Sequence, residues 1–583
     1  MDRFGSKPVA LRSKRDGRWV DIGYRELADQ VQDLSIGLQE LGVRGGDRVA
    51  ILSENRPEWA VADYACLAAG CADVPIYPTL PARQVEYILR DSGAVVALVS
   101  NAAQLEKVQA ARQRLPALAH VVTFDPAATG PVLHYAEVLR RGRAARDRYP
   151  DWRAAALQAA PDDLATLIYT SGTTGDPKGV MLSHGNIASN VTTSVGLFEF
   201  TADDQCLSFL PLSHIFERMF GHYCMFHAGV VINYAESVDT VPADMQAIRP
   251  QLMASVPRLY EKIYARVLDS VRTSSPLRKK IFAWGRNVGE RWAEATIAQR
   301  HLPAGLKLQR AIADRLVFAK LRARTGGRIR FFISGGAPLS PDIARFFYAA
   351  GLPILEGYGL TETSPVMAVN TFEHHRLGSV GRAIPDVEIR IAPDGEIVTR
   401  GPNVMCGYFN KPEATAEAID EEGWFHTGDI GQLDADGYLS ITDRKKDLIV
   451  TAGGKNIAPQ PIEILAKTSK FVASAVMIGD RRPFPIMLVV PNAAQVKGWV
   501  QHKGLPDGEL EQMLDHPEIR QKIEREVRMT LRDLAQYEMP KKLLLLARDF
   551  SVESGELTPT LKVKRRIVEE HNRAAIEALY TEA

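Results

Sequence analysis

Short, nearly unbroken apolar runs alternate with amphipathic stretches through the first 440 residues. DRVAIL (47–52), AVVALVS (94–100), HVVTF (120–124), LATLIYT (164–170), VVINY (230–234) and IRFFIS (329–334) have strand length and β-branched content. Helical stretches lie between them. One starts at Pro57, where proline suits a first turn, and another follows Pro257, where RLYEKIYARVLDSV places apolar residues at helical spacing. Continuous apolar strands separated by helices predict an α/β class built from layered, mostly parallel sheets covered on both faces. Residues 270–328 turn basic and helical, the texture of a solvated surface insertion.

The pattern changes after about residue 425. GDIGQLDADGYLSITD reads as two strands joined at Asp436-Gly437, a hairpin signal. The charged stretch Asp443-Arg444-Lys445-Lys446-Asp447 follows. Beyond it come strand-like ASAVMIG (473–479) and IMLVVP (486–491), one long amphipathic helix over 509–536, KLLLLA (542–547) and a basic closing helix. The reading is therefore two domains, 1–444 and 445–583, the second a smaller α+β unit long enough to fold around its own core.

Charge and cysteine usage narrow the function. The 583 residues carry 71 Lys+Arg against 70 Asp+Glu, a net charge of +1. That balance argues against nucleic-acid partners and against a disordered charged chain. Five cysteines (Cys66, Cys71, Cys206, Cys224 and Cys406) show no metal-binding spacing and read as thiols of a reducing, cytoplasmic compartment. The N-terminus has charges but no apolar core, so no signal peptide is expected, and no apolar run is long enough to span a bilayer. This leaves room for a hydrophobic substrate or a peripheral contact with the inner face of a membrane.

The most specific local signal is Thr170-Ser171-Gly172-Thr173-Thr174-Gly175-Asp176-Pro177-Lys178-Gly179, directly after a strand. Glycines allow close backbone approach, hydroxyls donate, and one lysine adds charge, a composition suited to a polyphosphate. It is not a Walker loop: counting from Gly172, the second glycine position holds Pro177, and Lys178 is followed by Gly179 rather than Ser or Thr.

This string resembles the phosphate loop YTSGTTGxPKG of the adenylate-forming superfamily of acyl-CoA synthetases, firefly luciferases and peptide-synthetase adenylation domains. The superfamily's other motifs follow in order. Ser334-Gly335-Gly336-Ala337-Pro338-Leu339 is similar to its adenine-pocket segment. Tyr358-Gly359-Leu360-Thr361-Glu362 resembles YGxTE, whose Tyr stacks on adenine, Thr contacts phosphate and Glu binds Mg²⁺. Thr427-Gly428-Asp429 resembles TGD, whose Asp takes both ribose hydroxyls. Arg444 and Lys446 fall in a DRxK-like hinge, Arg444 toward ribose and phosphate and Lys446 at the pivot. Gly453-Gly454-Lys455-Asn456-Ile457 matches the loop bordering the pantetheine channel. TPTLKVKRR (558–566) resembles the closing PKTxxGKxxRR and marks Lys562 as the catalytic lysine, with Leu561 where the pattern has glycine and Lys564 as the rival position.

The stretch from Ser208 to Arg218, SFLPLSHIFER, resembles long-chain fatty acid–CoA ligases and sets His214 near the adenylate carbonyl and the thiol channel. The resemblance implies ATP, Mg²⁺ and coenzyme A, with acyl-AMP and pyrophosphate formed first and the thioester second, on a C-terminal domain that changes pose. The catalytic set it implies is Lys562, Lys178, Thr361 and His214. Two other readings stand beside it: an acyl-AMP ligase that loads a carrier protein, and a non-catalytic member of the fold. The carrier-loading relatives have an insertion that is not visible here. The non-catalytic reading is countered by the presence of Lys178, Glu362, Asp429, Arg444 and Lys562 together.

Overall fold

In the computed structural model, residues 3–170, 176–451, 455–551, 554–558 and 563–581 are described. Among them, two large sheets organise the first 440 residues. One runs through strands Leu11–Arg15, Val231–Tyr234, Gln205–Ser208, Leu252–Ser255, Phe331–Ser334 and Ile354–Gly359 in spatial order. The other centres on Arg48–Leu52, flanked by Ala72–Ile76 and Val96–Val99, with Leu164–Thr170 beyond. Both are parallel at the centre; the first is antiparallel at both edges and the second at the edge beyond Leu164–Thr170. Their central strands are buried almost end to end, which is why they read as continuous apolar runs rather than alternating ones. A four-stranded antiparallel sheet contains the expected hairpin, Phe425–Leu433 with Leu439–Arg444.

The parallel arrangement decides where chemistry can sit. Ser255, Ser334 and Glu356 are paired in register near the carboxyl ends of adjacent strands. The chain must then turn sharply toward the helix Pro341–Ala349, and Gly336 takes φ 82° to do so. Crevices at the carboxyl ends of parallel strands are the usual ligand sites of open α/β sheets.

After residue 444 the strands Val472–Ile478, Ile486–Pro491 and Lys542–Leu545 form a mixed sheet with helices against it. The buried clusters fall into two sets, one drawn from residues 10–439 and one from 449–576. The single helix expected over 509–536 is instead two, Leu510–Leu514 and Pro517–Thr530. Pro517 is the cause: it has no N–H to continue the first helix and restricts the residue before it, but it suits the first turn of the second.

A seam of polar contacts joins the helix Pro257–Arg272 to the C-terminal part. Arg258 meets Asp549 at 3.0 Å, Gln495 donates to Asp269 at 3.2 Å, and Lys467 meets Glu261 at 3.4 Å.

Near the N-terminus, helices Tyr24–Glu40 and Tyr135–Ala145 cross at Gly37 and Gly142. A Cβ on Gly142 would stand 1.7 Å from the Asp33 carbonyl oxygen. The buried Asp33 carboxylate then ties the crossing, accepting from Arg146 at 2.6 Å and Arg143 at 3.0 Å. Gly142→Ala should force the helices apart and cost about 1–3 kcal/mol. Thermal melts should show the midpoint several degrees lower; an unchanged midpoint would contradict the close crossing.

Candidate active site

The phosphate-loop motif sits in a hairpin. Thr170 closes the strand Leu164–Thr170 and pairs in register with Lys178, which opens Lys178–Ser183. Ser171, Gly172, Thr173, Thr174 and Gly175 lie outside the described residues. Lys178 Nζ stands 4.8 Å from the centroid of the Tyr408 ring, and the Tyr408 hydroxyl donates to Glu362 Oε1 at 2.9 Å. Burial, then Glu362, pushes the Tyr408 phenol well up, so it remains a donor. The short strand Gly407–Tyr408 is held against Val180 and Met181, and Met405 N–H donates to the Glu362 carbonyl at 2.8 Å. Lys178 and Glu362, 184 positions apart in sequence, are thus joined through one aromatic ring. Sequence reading missed Tyr408. The available signal was an aromatic flanked by Gly407 and Asn410 just after the Pro402 turn, too weak to stand out unaided.

Glu362 and Thr361 lie in the short turn Thr361–Thr363, both half-buried. Glu362 fits a magnesium ion carried in on phosphates, since such ions take one or two carboxylates and keep other oxygens from substrate and water. A ready-made cage is not there: no cluster of three or more His, Cys, Asp or Glu suited to a metal occurs among the described residues.

The nucleoside motifs converge on Asp429. Its carboxylate is buried and accepts from the Tyr358 hydroxyl at 2.7 Å and from Arg444 Nε at 2.9 Å. Asp429 and Arg444 are partners in the hairpin register, so backbone pairing sets the ion pair. Burial works against the Arg444 charge, but Asp429 overrides it and raises the Arg444 pKa. Gly336, Ala337 and Pro338 are exposed just past the Phe331–Ser334 strand. Gly359 ends the Tyr358 strand, where a Cβ would lie 1.7 Å from the Pro365 carbonyl oxygen.

The hinge motif divides in its roles. Asp443 is buried and accepts from Arg444 N–H at 2.6 Å and Gln460 N–H at 3.3 Å, and burial pushes its carboxyl up to about 6. Lys445 binds Asp394 at 2.6 Å and Glu396 at 2.8 Å. Lys446 is exposed, in the turn that follows. Lys455 is exposed too, its Nζ 5.8 Å from the Tyr537 ring. Gly453, Gly454 and Lys562 lie outside the described residues. Leu557 and Val563 form an antiparallel bridge across the Lys562 segment. Farther along the same basic run, Arg565 is structural, binding Glu463 and the Met477 carbonyl at 2.6 Å.

His214 is half-buried, and its Nδ1 accepts from Phe216 N–H at 3.1 Å, which leaves the neutral ring's proton on Nε2. Phe216 in turn packs against Gly335, bringing this turn to the nucleoside segment. A π-helix, Glu217–Cys224, begins immediately after. In it Arg218 is 0% exposed. Its guanidinium binds both Asp63 and Asp73, and also Thr166 Oγ1 at 2.8 Å and the Tyr223 hydroxyl at 2.9 Å. Burial pushes both acids up. For Asp63 it is overridden by Arg218, which holds that carboxyl low, whereas Asp73 stays well above its usual range. Neighbouring Glu217 is also buried, and burial raises its carboxyl to about 8 against a smaller opposing pull from Ser208.

Comparison with known proteins bears on the family and the fold. The chain matches the AMP-binding enzyme family over residues 2–409 and the AMP-binding enzyme C-terminal domain over 446–583. It is 37% identical over 569 residues to the long-chain-fatty-acid–CoA ligase FadD15 of Mycobacterium tuberculosis, covering 97% of this chain and 93% of that one. It is 34% identical to the peroxisomal long chain acyl-CoA synthetase 6 of Arabidopsis thaliana, with 97% and 82% covered. Among solved structures it resembles ATP-bound MatB from Rhodopseudomonas palustris, with TM-score 0.69, 26% identity, and 97% and 96% covered.

Glu217 generates a pH prediction. Its folded pKa, about 8, exceeds the free value of 4.5, so between those limits the folded chain keeps a proton that the unfolded chain releases. Its contribution is therefore fully present below about pH 4.5 and is lost as pH rises toward 8, on the order of 1.4 kcal/mol per pH unit. Glu217→Gln removes this dependence. The midpoint advantage of the variant should grow from pH 5 to pH 8 and then level off, and a difference that does not change with pH would contradict the buried, proton-retaining carboxyl.

Proposed function

Because the chain belongs to the AMP-binding enzyme family, we propose that it is an AMP-forming ligase that joins long-chain fatty acids to coenzyme A. One observation carries the reading: the Tyr358–Asp429–Arg444 triangle and the Lys178–Tyr408–Glu362 chain, from motifs spread over 267 positions, occur together in one fold. Its length and identity to FadD15 support a long acyl chain as the substrate class.

A fatty acid is anionic at neutral pH and resists attack at its carbonyl. In the proposed first step a carboxylate oxygen attacks the α-phosphorus of ATP, the bond to the β-phosphate breaks, and pyrophosphate leaves. Two anions must meet, so charge neutralisation and placement dominate the demand. Thr170 through Gly175 cradle the phosphates, with Lys178 and Thr361 beside them. Glu362 would hold Mg²⁺, which supplies positive charge against the phosphates. Asp429 takes the ribose hydroxyls in exchange for contacts now made by Tyr358 and Arg444, while Tyr358, Gly359 and Gly336–Pro338 frame adenine. Lys562 bridges carboxylate and α-phosphate oxygens. In the second step the coenzyme A sulfur attacks the acyl carbon, the carbon–oxygen bond to AMP breaks, and the thiol proton passes to solvent. His214, with its proton on Nε2, would donate to the acyl carbonyl oxygen. Gly453, Gly454 and Lys455 border the thiol's path.

We assign residues 1–444 to the adenylation domain and 445–583 to a mobile domain pivoting at Lys446. The separate buried clusters and the thin seam between them support this division. A cytoplasmic location suits five free cysteines, four of them buried. No described helix is long and apolar enough to cross a membrane.

With palmitate and ATP, turnover should require coenzyme A and accumulate AMP. Release of ADP, or turnover with a carrier protein and none with coenzyme A, would overturn the proposal. Lys562→Ala should slow adenylate formation, read as pyrophosphate exchange, by about two to three orders of magnitude while sparing thioester formation from synthetic acyl-AMP. Lys446→Pro should show the opposite pattern, because proline stiffens the pivot. Equal losses in both half-reactions for both variants would exclude a two-pose cycle.

A further inference from the structure

The basic stretch flagged in the sequence is a helical excursion: Pro276–Ile297, then Ala304–Ala313 continuing through Asp314–Phe318 into Ala319–Arg324. Between 276 and 324 it holds twelve Lys or Arg against three Asp or Glu, a surplus of nine in a chain whose total is +1. The three acids are already engaged, Glu290 by Arg286, Asp314 by Arg310 and Arg322, and Glu294 by Arg345. The outer lysines and arginines therefore face solvent without local compensation.

The inner face of the excursion is fixed. A Cβ on Gly289 would meet Phe318 at 2.5 Å and Ala349 at 3.0 Å, so the helices pack closely on each other and on Pro341–Ala349. Val288, Ala313, Val317 and Phe318 form their buried core.

The outer faces are not purely polar, as a solvated insertion would be. On the first helix Leu277, 68% exposed, and Trp284 lie two turns apart, with Lys279, Lys280 and Arg291 exposed around them. On the second, Leu308, Ile312 and Leu316 recur every fourth residue. Leu308 is 65% exposed, and Lys307, Arg315 and Lys320 flank the stripe. Apolar residues including a tryptophan, set among uncompensated cations on a rigid platform, are the composition of a helix that lies in a bilayer interface. A nucleic-acid surface needs the charges but gains nothing from exposed Leu, Ile and Leu in a row.

We propose that the outward faces of Pro276–Ile297 and Ala304–Arg324 form a docking surface for anionic lipid bilayers. Lys279, Lys280, Lys307 and Arg315 face the headgroups, and Trp284, Leu308, Ile312 and Leu316 enter the acyl boundary. The proposal is independent of the ligase reading, since it concerns binding without substrate or turnover.

The test is sedimentation of the full chain with vesicles, without ATP or fatty acid. Phosphatidylcholine vesicles containing phosphatidylglycerol should carry the protein down, and pure phosphatidylcholine should do so much less. Binding should weaken as salt shortens the Debye length from about 10 Å at 0.1 M to about 3 Å at 1 M. Reversal at Lys279, Lys280, Lys307 and Arg315 to Glu should weaken binding at least about fivefold per site. Trp284→Ala with Leu308→Ser should reduce it at constant charge. Reversal at Arg520 and Arg525, exposed cations on the Pro517–Thr530 helix, serves as the control for location and should leave binding intact. Circular dichroism melts verify that each variant is folded. Absence of wild-type binding to anionic vesicles, equal loss with the control reversal, or retention by nucleic acid with no vesicle binding would each overturn the proposal.

Discussion

Arg218 carries a full positive charge where water does not reach, and much of the site's architecture follows from how that charge is held. An isolated buried guanidinium would cost many kcal/mol, and removing one partner from such a pair costs about 3–5 kcal/mol. Here the partners come from four places: Asp63 on the Pro57–Ala68 helix, Asp73 on Ala72–Ile76, Thr166 on Leu164–Thr170, and Tyr223 one turn along the π-helix. Thr166 also donates to Asp73 Oδ1 at 2.7 Å, so the strand that ends at Thr170 is tied to the same charge. The π-helix starts three residues after His214. One cation therefore links the strand leading into the phosphate loop to the turn that carries the histidine.

The site itself is assembled from edges. Tyr358 and Gly336 stand at strand ends of one sheet, Thr170 and Lys178 in a hairpin of the other, and Asp429 with Arg444 in the antiparallel sheet. Each contribution sits on a hydrogen-bonded strand or within two residues of one. The polar links between sheets (Tyr358 to Asp429, Tyr408 to Glu362) are single hydrogen bonds under 3 Å. Rigid supports let so few contacts define a geometry, because the backbone under each group is already fixed by strand pairing.

Local signals proved readable wherever one segment carries both pattern and chemistry. Apolar strand runs such as Val96–Val99 and Phe331–Ser334 and the Asp436-Gly437 hairpin are contiguous, and so is the ten-residue string Thr170–Gly179 that pointed to the family the chain matches. The Pro517 break was missed because apolar residues recur at helical spacing on each side of the proline, and amphipathic pattern alone does not register a lost N–H. Tyr408 and the Asp63–Arg218–Asp73 cluster escaped for another reason. Their partners lie 46, 155 and 145 positions away, and pairing at that distance leaves no local trace. For Arg218 a hint was present: Glu217 and Arg218 interrupt the otherwise apolar IF and MF pairs, and adjacent charges in such a run need an explanation.

The seam between Pro257–Arg272 and the C-terminal part is made of polar contacts at half-exposed groups: Arg258 with Asp549, Gln495 with Asp269, Lys467 with Glu261. Exposed pairs of this kind are each worth roughly 0.2–1 kcal/mol. Together these three favour this arrangement by a factor of only about three to one hundred and fifty. A ligand that binds a second arrangement about a hundredfold better can therefore reverse the preference. Reagents that occur in the cell at many times their dissociation constants would then act as the protein's clock, each one's arrival and departure setting which face of the small domain is presented.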